Sequence, residues 1–106
     1  MIEYEYESIF CIVNTGFSEL AMDAARSAGA TGGTVIHARG TANRESEKHF
    51  NITIQPEKEI VMILVPKTIR DDVMHALYKS AGIGTDAMGI VFSMPADNVI
   101  GIPNKK

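Results

Sequence analysis

An α+β fold of the ferredoxin-like (βαββαβ) type, with a short extra C-terminal strand, is what this sequence predicts, on two observations. Apolar runs and helical stripes follow one another as strand–helix–strand and then again as strand–helix–strand. The triplet Ser27-Ala28-Gly29 closes the first helical stretch, and the same triplet returns as Ser80-Ala81-Gly82 at the end of the second. Each is followed by a glycine-containing link and an apolar strand. A third observation concerns assembly. The runs "IFCIV", "IVMILV" and "IVF" are apolar on both sides, whereas a sheet with one face in water alternates apolar with polar. The face opposite the helices therefore needs a cover, and further copies of the chain are the simplest one.

The elements run in order. Residues 9–13 form a first strand, rich in strand formers and broken by "NTG". "FSELAMDAARSAG" reads as a helix. It sets Phe17, Leu20, Ala21, Ala24 and Ala28 on one face, with Thr15 or Ser18 as its cap and Gly29 as its stop. Residues 34–38 make the second strand. "RGTANRESEKH" is charged and without periodicity, hence a loop, and "FNITIQ" alternates strictly as a half-exposed strand arm ended by Pro56. Residues 59–65 form the third strand. A second helix follows, capped by Thr68, with Ile69, Val73, Ala76 and Leu77 as its inner stripe. "SAGIGTDAMGIVF" leads through a glycine-rich loop into a fourth strand, "GIVFSM". "NVIGI" is the short extra strand before the tail.

The 106 residues form one domain. A net charge of −3 argues against a general nucleic-acid binder, which presents a basic face. A single cysteine, Cys11, excludes an internal disulfide and a CxxC site, and within an apolar strand it reads as an inert core thiol. No apolar run approaches membrane-spanning length and the start lacks a basic n-region, so a cytoplasmic protein without membrane insertion is expected. His37, His49 and His75 lack ligand spacing, and no metal is expected. No Ser–His–Asp or paired-carboxylate set is recognisable, so no catalytic residue is assigned and the protein is not expected to be an enzyme. The loop glycines Gly82, Gly84 and Gly89 fit two readings. They let backbone N–H groups approach phosphate oxygens, or they only turn the chain.

Three segments carry a family resemblance over residues 9–102. "AGATGGTVIHARGT", "EIVMILVP" and "VFSMPADNVIGI" resemble, in order, segments of the PII-type nitrogen-regulatory signalling proteins. The resemblance implies a homotrimer with the sheets facing inward and an adenine-nucleotide site in each cleft between subunits. Gly32, Gly33, Thr34, Gly40 and Leu64 would contribute to that site, together with a B-loop at residues 81–89 that holds Gly82, Gly84 and Gly89. It also implies an effector loop, the T-loop, at residues 39–49. Its charged residues Arg39, Arg44, Glu45, Glu47 and Lys48 would meet a target such as a membrane transporter or a metabolic enzyme. Such a segment, ordered on ligand or partner, is a mechanism for regulation.

The departures from the family bear on the ligand. Met88-Gly89 stands where the family has Gly-Lys, and Gly101 and Pro103 stand where it has arginines. Charge-assisted contacts supply much of the strength of phosphate binding. Arg39, Arg44, Lys105 and Lys106 are the candidate replacements. No obligatory cofactor is expected. The ligand that the resemblance implies is an adenine nucleotide, ATP, ADP or a less charged one such as AMP or cyclic di-AMP. The missing cations leave a site without any ligand as the other reading. The T-loop is shorter than the family's and has no tyrosine, so uridylylation is not expected. A trimer of CutA type, binding metal or carrying small-molecule chemistry through His37 or His49, is the alternative.

Overall fold

The computed structural model describes residues 5–41 and 56–102. Its elements are β1 (Tyr6–Asn14), α1 (Ser18–Ser27), β2 (Thr34–Arg39), β3 (Glu57–Pro66), α2 (Arg70–Ala81) and β4 (Ile90–Ala96), with a 3-10 turn, Lys67–Ile69, leading into α2. The four strands form one antiparallel sheet in the order β2-β3-β1-β4. This is the ferredoxin-like arrangement. The segment "FNITIQ" and most of the loop before it lie outside the described residues.

Side-chain alternation divides β1 and β3 cleanly. Ile9, Cys11 and Val13, with Val61, Ile63 and Val65, point to the helices and are fully buried. They pack against Ala21, Met22 and Ala25 of α1 and against Val73, Leu77 and Ala81 of α2. Small alanines on α1 let that helix lie close to the sheet. Of the expected inner face of α1, Ala21 and Ala24 are buried and Phe17 and Ala28 pack against the core, with Leu20, 43% exposed, the exception. Met22 and Ala25 are buried as well.

Both helix starts depart from the expected caps. Neither Thr15 nor Ser18 caps α1, whose boundary residue Phe17 makes no side-chain cap bond. The cap comes from the sheet. Glu59 Oε1 accepts hydrogen bonds from the backbone N–H groups of Gly16 and Ser18, both at 3.2 Å. Thr68 does not cap α2. It lies inside the 3-10 turn, and the boundary residue is Ile69.

The two identical triplets end their helices differently. Gly29 takes φ +112° and closes α1 in a Schellman turn, with Gly29 N–H bonded to Arg26 O and Ala30 N–H to Ala25 O. Gly82 is extended and instead pairs with Gly89, a side chain on either being barred by the carbonyl of Tyr78 or Ala81. "NVIGI" forms no strand. Asn98 and Gly101 take φ of +54° and +110°, which breaks the extended backbone, and Ile100 stands 94% exposed.

Burial raises the Cys11 thiol from 9.0 to about 11. The thiol form is therefore retained in the folded protein where an unfolded chain has begun to ionise. Stability that is full below pH 9 is expected to fall between pH 9 and 11, because there the unfolded state loses its proton first. Below that window, labelling of Cys11 by a thiol reagent at about pH 8 is expected only at the rate of unfolding. Prompt labelling of the native protein would contradict the burial.

Candidate functional site

The face of the sheet away from the helices is apolar. Ile36, Ile60, Ile12 and Ile90 sit side by side in register across the four strands. Beside them lie Thr34, Met62, Phe10 and Phe92, the two phenyl rings stacked with centroids 5.1 Å apart. No described segment covers the centre of this face, and Ile90, Phe92 and Met94 are 57, 41 and 50% exposed.

A cavity of about 560 Å³ opens at one end of this face. The link from Gly29 to Thr34 forms one wall, and alternate residues of β3, Met62, Leu64 and Pro66, form the floor. Tyr6 and Ser8 of β1 and the segment Gly101–Ile102 complete it. The floor follows from strand geometry, because residues two apart share a face, so Leu64 brings Met62 and Pro66 with it. That period was legible in the sequence. The contributions of Tyr6, Ser8 and Gly101–Ile102 depend on strand pairing and on the path after β4.

Gly33 is a glycine for steric reasons. A Cβ there would stand 2.9 Å from both Met22 Sδ and the Met62 carbonyl oxygen. The wall can thus press against β3 only without a side chain. The lining is neutral. Its side-chain polar groups are hydroxyls, from Tyr6, Ser8, Thr31 and Thr34, and no Lys, Arg or His is among the described lining residues.

Of the residues assigned to nucleotide binding, Gly32, Gly33, Thr34 and Leu64 line this cavity. Gly40, Gly82, Gly84 and Gly89 do not. Gly40 follows the far end of β2, where its N–H donates to Pro56 O at 2.6 Å and Lys58 lies alongside. The B-loop stands at that same end of the sheet, since Asn14, which ends β1, donates its N–H to Ala87 O at 2.9 Å. Tyr6 and Ser8, in the cavity, lie at the other end of β1.

The B-loop is largely bonded to itself and to the end of α2. The N–H groups of Gly82, Thr85, Met88 and Gly89 donate to the carbonyls of Tyr78, Gly82, Thr85 and Ala81. The Thr85 hydroxyl donates to Gly82 O at 2.8 Å. Gly82 and Gly89 therefore serve the turn, whereas a Cβ on Gly84 would meet nothing within 4 Å.

Of the effector-loop residues, Arg39 ends β2, is exposed and pairs with Glu57 at 3.4 Å. Arg44, Glu45, Glu47 and Lys48 lie outside the described residues, as do Lys105 and Lys106. His37 and His75 are exposed on β2 and α2, and His49 lies outside the described residues. Among the described residues no three His, Cys, Asp or Glu side chains cluster as a metal site, and no helix is long and apolar enough to cross a membrane.

Comparison with known proteins agrees with this fold. A family described as "Nitrogen regulatory protein P-II" matches residues 7–106. Among solved structures, the crystal structure of Arabidopsis thaliana PII bound to citrate superposes with a TM-score of 0.71 at 21% identity. The match covers 94% of this chain and 82% of that one. At that identity the likeness shows the fold. No curated protein sequence matches this chain.

Proposed function

The chain belongs to the nitrogen regulatory protein P-II family, and from that premise we propose that it is a cytoplasmic, non-enzymatic regulator which senses a small ligand and acts on a target protein through its T-loop. The ligand proposed is an adenine nucleotide, and the target a membrane transporter or a metabolic enzyme. The working unit is a homotrimer, the assembly typical of the family, with the apolar sheet faces buried against one another.

One observation carries the proposal. The cavity opens on the uncovered apolar face, at the opposite end of the sheet from the B-loop. Two halves that stand apart in one chain can form a single site only across a subunit boundary. The neutral, hydroxyl-bearing cavity suits a base and a sugar. Phosphate groups would be held outside it, by Arg39 or by the cations of the T-loop and tail.

Thermal melting in ATP, ADP, AMP, cyclic di-AMP and citrate, with and without magnesium, tests the reading. A nucleotide at about 100 times its Kd stabilises by about 2.7 kcal/mol, which raises the midpoint by several degrees. Gly84→Leu is expected to leave the ligand-free midpoint in place, because a side chain there meets open space, and to abolish the shift. A shift with citrate alone, or with no compound, overturns the nucleotide reading.

A further inference from the structure

Asn14, at the end of β1, is 8% exposed and has every polar group engaged. Its N–H donates to Ala87 O at 2.9 Å, and its Nδ2 donates to the neighbouring carbonyl of Asp86 at 3.1 Å. Its Oδ1 accepts from Lys58 Nζ at 2.7 Å, and its own carbonyl accepts from Phe17 N–H at 3.2 Å. The partners fix the amide's orientation. An ammonium only donates and a carbonyl only accepts, so a flipped amide would set donor against donor and acceptor against acceptor.

These contacts link two loops. Asp86 and Ala87 belong to the B-loop. Their carbonyls, both held by Asn14, immediately precede Met88, a non-glycine residue with φ +50°. A left-handed methionine persists only where its surroundings over-determine it. On the other side, Lys58 faces Asn14 across the β1–β3 pair. Its stem runs beside Gly40, where a Cβ would stand 3.3 Å from Lys58 Cε. The Gly40–Pro56 bond closes the mouth of the T-loop.

We propose that Asn14 is a positioning residue that couples the conformation of the B-loop to the mouth of the T-loop. The physical cause is the cost of a buried, unpaired amide. If the B-loop withdraws its carbonyl, the Nδ2 group must turn to find another acceptor, and Oδ1 leaves Lys58 as it turns. Lys58 is then free to move from Gly40. Movement at the T-loop mouth acts on the B-loop by the same route in reverse. The regulatory meaning of this coupling rests on the function proposed above, but the coupling itself does not.

The test is residue-resolved amide hydrogen exchange without ligand. Lys58→Met keeps the stem beside Gly40 and removes the bond to Asn14. It is expected to accelerate exchange at Met88 and Gly89 about fivefold, the effect of losing one partly buried hydrogen bond, although Lys58 bonds to neither. Asn14→Asp keeps an acceptor for Lys58 and sets an oxygen against Asp86 O. It is expected to accelerate Met88 and Gly89 while Gly40 stays protected. Undiminished protection of Val61 and Ile63 certifies the fold of each variant. Unchanged exchange at Met88 and Gly89 in Lys58→Met overturns the coupling. A second arm adds each nucleotide in turn. A nucleotide-induced gain in protection of Gly40 N–H, over the ligand-free level, in the wild type and not in Asn14→Asp supports the coupling, and an equal gain in both overturns it. If no nucleotide alters any amide, the nucleotide reading fails, and the ligand-free comparison still decides the coupling.

Discussion

Ile12→Glu is expected to reduce the mass in solution from three chains to one while leaving the protomer folded. Ile12 lies in the middle of the isoleucine row on the open sheet face, between Ile60 and Ile90. In a single chain this face meets water, so a carboxylate there stays hydrated. In the assembly it would be enclosed among apolar side chains, at a penalty of several kcal/mol per chain after relaxation. Three equivalent copies would each incur it. Ile12→Val removes one methylene and is expected to leave the assembly intact. Light scattering measures both variants, and far-UV circular dichroism follows the fold. An Ile12→Glu variant that remains a trimer would show that the sheets do not meet there.

Glu59→Ala is expected to destabilise the protomer by about 2 kcal/mol, the scale for hydrogen bonds to a charged group together with a lost helix cap. Glu59 is 7% exposed, and its carboxylate serves two N–H groups at the start of α1. An anion there also meets the positive end of the helix dipole. His37 Nδ1 stands 3.8 Å from Oε2, on the residue paired with Glu59 across the strands, but His37 is so exposed that this contact adds little. Glu59→Gln keeps an acceptor without the charge and is expected to lose about half as much. Urea unfolding gives the values. Equal stability of the wild type and Glu59→Ala would mean that water caps the helix as well as the carboxylate does.

Glu59 also marks the limit of local signals along the chain. A serine or threonine before a helix is a sound signal for a cap, and Thr15, Ser18 and Thr68 carried it. The actual acceptor for α1 comes from a residue some forty positions away. Nothing local announces it, because Glu59 reads in sequence as the polar edge of an apolar run. Leu20 departs from expectation for a different reason. A ten-residue helix with several alanines tolerates burial of either edge of its inner face, and the close approach of Met22 to Gly33 selects the one observed. In "NVIGI" the breakers were visible, since asparagine and glycine are the residues that enter left-handed backbone most readily.

The number, order and kind of the main strands and helices, the two-sided apolar strands and the family were all legible along the chain. These rest on periodicity and on short segments in order, which are properties of neighbours in sequence. Which residues meet was settled by the folded arrangement alone. It set Gly32, Gly33, Thr34 and Leu64 in one cavity and placed the B-loop at the other end of the sheet beside Asn14, Lys58 and Gly40. Two identical Ser-Ala-Gly triplets received different turns from it as well. The reason is common to all of these. Strand register and helix packing fix distances between residues far apart in sequence, and the free energy of a cap, a turn or a cavity depends on those distances rather than on the residue alone.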